Sequence, residues 1–194
     1  MKNNKYLDLT LQSILNDEHL KMENLELTTF ILKDKKYSIR DINKLDSSQF
    51  IPITDISLLD PEKLDRDYLD GVLYMKFNGE TIMDFTFWDD ILDLWHYFIN
   101  SLEELIIQNE SSFSFPSQPL PVSIKIVKDR IRLVIDDKSI NMKAEQFLEV
   151  MLQEAITFFT ALMSIFPRQE AEYHQTILRI YKIKLSLGER FTAY

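Results

Sequence analysis

Three side chains near residue 90 have the types and the spacing to hold a metal ion. Asp89, Asp93 and His96 follow one another at i, i+4 and i+7, which places them on one face of a helix. Carboxylate and imidazole groups ligate zinc or manganese, so the trio suggests a metal-assisted hydrolase. A catalytic site of this kind needs a further ligand, and the same pattern is typical of a solvated helix face. The metal interpretation is therefore the alternative, and the sequence predicts no metal and no cofactor.

Other catalytic chemistry finds little support in the sequence. The chain has no cysteine, which excludes disulfides, thiolate zinc sites and cysteine nucleophiles. Its three glycines are too few for a dinucleotide-binding or phosphate-binding glycine loop. Glu80, Asp84, Glu103 and Glu104 could supply a carboxylate pair for glycoside cleavage, but chance pairings are expected among 31 acidic residues. The sequence favours a protein that is not an enzyme.

The distribution of charge gives the strongest functional indication. The net charge is −9, the excess of acids lies in residues 1–110, and no Lys or Arg occurs from Phe77 to Ile124. Such a chain repels phosphate backbones and anionic lipid heads, so neither nucleic acid nor membrane is expected as a partner. A basic protein partner would be attracted. Solubility alone is the competing explanation. The predicted partner-binding residues are Asp84, Asp89, Asp90, Asp93, Glu103 and Glu104.

A hairpin that leads into a helix is predicted to position these acids. Residues 72–77 and 80–86 read as strands, and Asn78-Gly79 between them suits the positive φ angles of a tight type I′ turn. A two-residue turn places Tyr74 opposite Met83. A helical pattern then runs from Trp88 to about Gln108. Residues 109–121 are predicted to be a loop that packs down as a strap, because its two phenylalanines would be costly to expose.

The remaining pattern predicts an α+β fold. The sequence favours one domain over residues 1–194, an antiparallel sheet of four to six strands built from β-hairpins, with helices packed mainly on one face. Residues 72–108 and 122–166 repeat a hairpin-plus-helix plan, whereas residues 1–70 are less regular. The other predicted elements are a helix at 5–18, strands at 25–32 and 37–42, an irregular connection at 46–70 with a helical start at Asp60-Pro61, strands at 122–127 and 130–136, a helix at 144–166, and a C-terminal helix within 168–187 that ends near Gly188.

Two further features bear on location and assembly. The N-terminus lacks the apolar core of a signal peptide, and the longest apolar run, residues 155–166, is too short to span a bilayer, so a cytoplasmic protein is expected.

A basic patch lies on the second hairpin and consists of Lys125, Lys128, Arg130, Arg132 and Lys138. A solvated sheet face explains this patch, but it could also dock the acidic helix of a second copy, which leaves a structural homodimer open.

One stretch also resembles a known group of proteins. Gly79-Glu80-Thr81-Ile82, Trp95 and the segment Phe115-Pro116-Ser117-Gln118-Pro119 look like parts of uncharacterised bacterial proteins grouped with the immunity proteins of polymorphic toxin systems. The likeness covers roughly residues 72–127. It implies a cytosolic inhibitor that binds and blocks a cognate toxin. It carries over no binding residues, since such families vary at the interface.

Overall fold

The strands divide between two antiparallel sheets. The computed structural model describes residues 23–35 and 47–192, with side chains as far as Leu187. The first sheet has five strands in the order β2-β1-β3-β4, with β5 also paired to β3, and the second has four in the order β6-β7-β8-β9. The predicted α+β class is confirmed, although the single predicted sheet is two. The strands are β1 (Leu25–Leu32), β2 (Phe50–Pro52), β3 (Asp70–Phe77), β4 (Glu80–Met83), β5 (Trp88–Asp90), β6 (Glu110–Ser114), β7 (Pro121–Val127), β8 (Arg130–Ile135) and β9 (Lys138–Lys143), and the helices are α1 (Ile91–Gln108), α2 (Ala144–Ile165) and α3 (Glu170–Thr192).

The hairpin of β3 and β4 has the predicted turn but a different register. Asn78 and Gly79 adopt φ angles of 51° and 83°, as a type I′ turn requires. Beyond the two pairs nearest the turn, a bulge places Met75 opposite Met83, so the predicted pairing of Tyr74 with Met83 is wrong. The bulge turns the strand locally, and Ile82 and Met83 are both buried in the main core.

The segment after β4 departs from the predicted strand. The chain leaves the sheet at Asp84 and returns as β5, which pairs with the first residues of β3. The Asp84 carboxylate accepts hydrogen bonds from Thr86 N at 2.9 Å and from Thr86 Oγ1 at 2.6 Å, which fixes this excursion. Helix α1 consequently begins at Ile91, three residues later than predicted.

The predicted strap is partly a strand. Asn109 ends α1 in the left-handed conformation, at φ 63°, and residues 110–114 then pair with β7 as the edge strand β6. Pairing to an available neighbouring strand outweighs the weak strand preference of the serine-rich sequence. Only residues 115–120 remain a loop, and Phe115 is buried as expected. From here on, the strap means residues 115–120. Strand β9 has no counterpart in the sequence-based prediction.

One main hydrophobic core joins both sheets and the three α-helices of the described chain. Helices α1 and α2 each contact both sheets. By length and composition alone α2 could cross a bilayer, but one of its faces is buried in this core. Helix α3 continues to Thr192, so the predicted end near Gly188 is wrong. The predicted helix at 5–18 and strand at 37–42 lie outside the described residues.

Candidate partner-binding site

Asp89 is inside the protein and cannot contact a partner. It is fully buried, and its carboxylate accepts hydrogen bonds from Asp90 N at 2.7 Å, Ser117 N at 2.9 Å and Gln118 N at 3.2 Å. Burial raises the pKa of Asp89, and these hydrogen bonds act in the opposite direction. Its structural task is to fasten the strap to β5. The prediction that Asp89 belongs to a surface is thereby corrected.

Asp90 is also committed to the fold. It is the N-cap of α1, and its Oδ1 accepts hydrogen bonds from Leu92 N at 3.1 Å and Asp93 N at 3.2 Å. Only 6% of its surface is exposed. Burial raises the pKa of Asp90 to about 6, although its hydrogen bonds favour the charged form. The Asp90 carboxylate therefore stabilises the start of helix α1.

Three of the other predicted residues have local partners. Burial acts to raise the pKa of Asp84, but the hydrogen bonds from Thr86 and the charge of Lys138 outweigh it and lower that pKa. Glu103 forms an ion pair with Arg179 of α3. Glu104 accepts a hydrogen bond from the Ser111 hydroxyl and lines a shallow groove beside β6. The prediction that all six acids form one surface is therefore not supported by their surroundings.

The proposed metal trio does not converge. Asp89 faces the strap, whereas Asp93 is exposed at the start of α1. The His96 ring packs against Phe159, with ring centroids 5.3 Å apart, and burial lowers the pKa of His96. Within residues 23–35 and 47–192 no group of three or more histidine or acidic side chains could hold a metal ion. The described residues therefore give the metal-assisted hydrolase no support.

A different set of carboxylates does come together, where β3, α1 and α3 begin. After burial, the charges of Asp90, Asp89 and Asp65 raise the pKa of Asp70, and the charge of Asp93 acts to raise the pKa of Asp90. Asp93 and Glu172 both act to raise the pKa of His96, against the effect of burial. Arg66 contacts both Asp67 and Glu172, at 3.4 Å and 3.0 Å. Three separate segments are therefore linked. We call this set the acidic flank, comprising Asp65, Asp67, Asp70, Asp90, Asp93 and Glu172.

The inner part of the acidic flank, Asp70 and Asp90, has no counter-charge from the part of the chain that the structure describes. Strand pairing places Asp70 directly opposite Asp90, and like charges in that position are destabilising. Asp70 Oδ1 is buried without a hydrogen-bond partner in the described part of the chain. Burial first, and then the charges of Asp90, Asp89 and Asp65, raise the pKa of Asp70 to about 7. No described Lys or Arg forms an ion pair with Asp70 or Asp90.

The outer part of the acidic flank is accessible to a partner. The Asp67 side chain is 89% exposed and that of Glu172 is 54% exposed. Asp65 and Asp93 are exposed as well. Arg66 offsets part of this charge, since it is shared between Asp67 and Glu172. The flank therefore combines an exposed acidic rim with the partly exposed Asp70 and the buried Asp90.

Sequence reasoning found two of the six flank residues, Asp90 and Asp93. It assigned Asp65, Asp67 and Asp70 to an irregular surface connection and gave Glu172 no role. The missing signal was the antiparallel pairing of β3 with β5, which brings the acid-rich connection to the start of α1. The position of Glu172 depends on how α3 packs, which no local pattern encodes.

Comparison with known proteins adds no relative. No family model, no curated protein and no solved structure matches this chain. The resemblance to immunity-type proteins therefore stays a prediction.

Proposed function

We propose that this chain is a non-enzymatic, cytosolic protein-binding module that engages a basic protein partner through the acidic flank. The observation that carries the proposal is the juxtaposition of Asp70 and Asp90, two carboxyl groups on different strands with which no described Lys or Arg forms an ion pair. Asp90 caps helix α1, but the like charge of Asp70 opposite it is destabilising in the folded chain. A cationic partner would supply the missing counter-charge.

The exposed rim suits the first encounter with that partner. Complementary charge raises association rates and disfavours wrong partners more than it raises affinity. At about 0.1 M salt the screening length is about 10 Å, so the charge of the rim attracts a partner within roughly that distance. Asp70 and Asp90 act at closer range, where displaced water strengthens charge pairing.

The partner we propose is a toxin, because the sequence resembles immunity-type proteins over residues 72–127. An inhibitor of this type needs no catalytic group. It needs a rigid surface that covers a site on its target. Three segments held by one core and by the Asp89-anchored strap would provide that rigidity.

A structural homodimer is the second candidate, and one observation favours it. On the outer face of the second sheet Lys125 lies opposite Arg132, and both are exposed. This basic face could meet the acidic flank of another copy. Such a contact joins two different surfaces, and therefore extends into chains unless a rotation closes it. Light scattering across a salt series would detect dimers or longer chains.

The test is a comparison of two charge-reversal variants as bait in lysate from the native cell. The flank variant carries Asp65→Lys, Asp67→Lys and Asp93→Lys, all at exposed positions. The control variant carries Asp129→Lys, Asp137→Lys and Glu149→Lys, which are also exposed and lie outside the flank. Both variants change the net charge equally.

We expect wild type and control to retain a basic protein at about 50 mM salt and to release most of it at about 300 mM, because surface charges are screened. The flank variant should fail to retain that protein. Retention of one partner by all three baits, or binding that ignores salt, would contradict the proposed function.

A further inference from the structure

The outer face of the first sheet carries a cluster of aromatic rings. Phe85 lies at its centre, with ring centroids 5.1 Å from Phe30, 5.2 Å from Phe50 and 5.6 Å from Tyr74. Trp88 packs against the same cluster. Phe30, Tyr74, Phe85 and Trp88 all retain partial exposure. We call these five residues the aromatic face.

No residue of a described helix belongs to this cluster. Its buried members, Leu32, Phe50 and Val72, come from the strands of the first sheet, and the helices pack against the main core. Tryptophan, tyrosine and phenylalanine are among the residues that are enriched in protein interfaces. An aromatic sheet face of this kind is therefore a candidate contact surface.

The aromatic face adjoins the acidic flank. Val72 lies opposite Trp88, and Asp70 lies opposite Asp90, one alternation further along the same two strands. Residues two apart on a strand point to the same face. The indole of Trp88 and the two carboxyl groups consequently form one corner, apolar on one side and acidic on the other.

This combination matches the chemistry of a cationic side chain. Aromatic rings attract cations held over their faces, and the sheet already shows it, because Lys76 Nζ lies 5.5 Å from the centre of the Tyr74 ring. Arginine fits better than lysine, since its planar guanidinium can stack on an indole and donate paired hydrogen bonds to carboxylates.

We propose that an arginine side chain of a basic protein partner binds in this corner, with its guanidinium against the Trp88 indole and its N–H groups directed at Asp70 and Asp90. The inference rests on the proposed function and names the group that the partner must present. The arginine site also gives the aromatic face a role, because attraction by the acidic flank alone would require no aromatic rings.

The two tryptophans provide the assay. Trp95 Nε1 donates a hydrogen bond to Thr29 Oγ1 at 3.2 Å in the core, whereas Trp88 Nε1 has no acceptor within the described chain. Their indole N–H signals should therefore be distinct in a ¹H–¹⁵N spectrum of the ¹⁵N-labelled chain. The probe is acetyl-Gly-Arg-Gly-amide, and its neutral match carries citrulline in place of arginine.

We expect the Trp88 signal to move saturably with the arginine peptide, while the Trp95 signal stays in place. The citrulline peptide should bind at least about tenfold more weakly, because it loses the charge. Asp70→Asn should weaken binding about fivefold or more, and Asp129→Asn should not weaken it. Asp90→Asn, which keeps a residue suited to the N-cap, provides a second test, and an unmoved Trp95 signal shows that each variant is folded.

Three results would overturn the arginine site. They are a Trp88 signal that ignores the peptide, equal binding of the citrulline peptide, and unchanged binding to both aspartate variants. A Trp88 signal that moves with protein concentration alone would show that a second copy occupies the corner. If these tests fail while the flank variant still loses its partner, the arginine site is wrong and the proposed function stands. If the flank variant also retains its partner, both are wrong.

Discussion

Replacement of Asp70 by asparagine should stabilise the protein, which is the opposite of what most substitutions of partly buried polar residues do. The reason is that the folded chain holds this carboxyl group beside Asp90, Asp89 and Asp65, and no Lys or Arg of the described residues pairs with it. Asparagine has nearly the same shape and carries no charge. The substitution therefore removes a repulsion and leaves the packing in place.

The size of the gain follows from the pKa. A folded pKa of about 7, against an ordinary value of 3.8, makes ionisation of Asp70 in the folded state more costly by about 4 kcal/mol. Asp70 is partly exposed, and solvent screening reduces that figure. We expect Asp70→Asn to raise the free energy of unfolding by about 1–2 kcal/mol at pH 8.

The stability difference between wild type and Asp70→Asn should vary with pH, and the raised pKa of Asp70 gives its direction. Below pH 3.8 both states of the wild-type chain carry a protonated Asp70, so the substitution should have no electrostatic effect. As the pH rises from 3.8 to about 7, the unfolded chain ionises first and the wild type loses stability relative to the variant. Above about pH 7 the difference should be constant.

Urea unfolding of wild type, Asp70→Asn and Asp129→Asn at about pH 4 and pH 8 measures this directly. The control, an exposed acid in the β7–β8 turn, should change the free energy of unfolding by less than about 0.5 kcal/mol at either pH. A destabilised Asp70→Asn protein at pH 8, or a gain that is equal at both pH values, would refute the account of the inner flank.

Other substitutions test the scaffold. Asp89→Ala should lower the free energy of unfolding by about 3 kcal/mol, because it leaves three backbone N–H groups without an acceptor. Amide hydrogen exchange should also become faster in the strap. Unchanged exchange in the strap would contradict its anchoring by Asp89. Gly71→Ala should be destabilising by more than about 2 kcal/mol in urea unfolding, since a Cβ there would lie 2.4 Å from Phe30 O; near-neutral behaviour would refute this close approach. A double-mutant cycle on Glu103 and Arg179 should give no more than about 1 kcal/mol of coupling, because both side chains are over a third exposed; a coupling several times larger would show that the pair matters more than its exposure suggests.

Much of the fold was predictable because its signals are local. The Asn78-Gly79 turn, the alternation in β7 and β8 and the apolar stripes of α1 and α2 each follow from a few neighbouring residues. The misplaced elements depended on distant partners instead. Strand β6 exists because β7 offers it a backbone to pair with, and the bulge in β4 appears only once both of its apolar residues must reach the core.

The candidate site was harder to predict because residue type does not reveal solvent exposure. Asp89, Asp90 and Asp93 are close in sequence and all acidic, yet one fastens a loop, one caps a helix and one faces solvent. Their difference arises from the strand-to-helix junction at residue 90. The pairing of Asp70 with Asp90 likewise spans a hairpin and an excursion that no local pattern encodes.

The measurement that tests the central claim most directly is the association rate constant of this chain with its captured partner, followed by stopped-flow fluorescence across a salt series. If the acidic flank attracts the partner, the rate constant should fall about tenfold or more between about 20 mM and 300 mM salt. The flank variant should have a low rate constant even at about 20 mM salt, and that constant should change little as salt is added. A rate constant that is independent of salt and equal for wild type and flank variant would contradict the role of the flank.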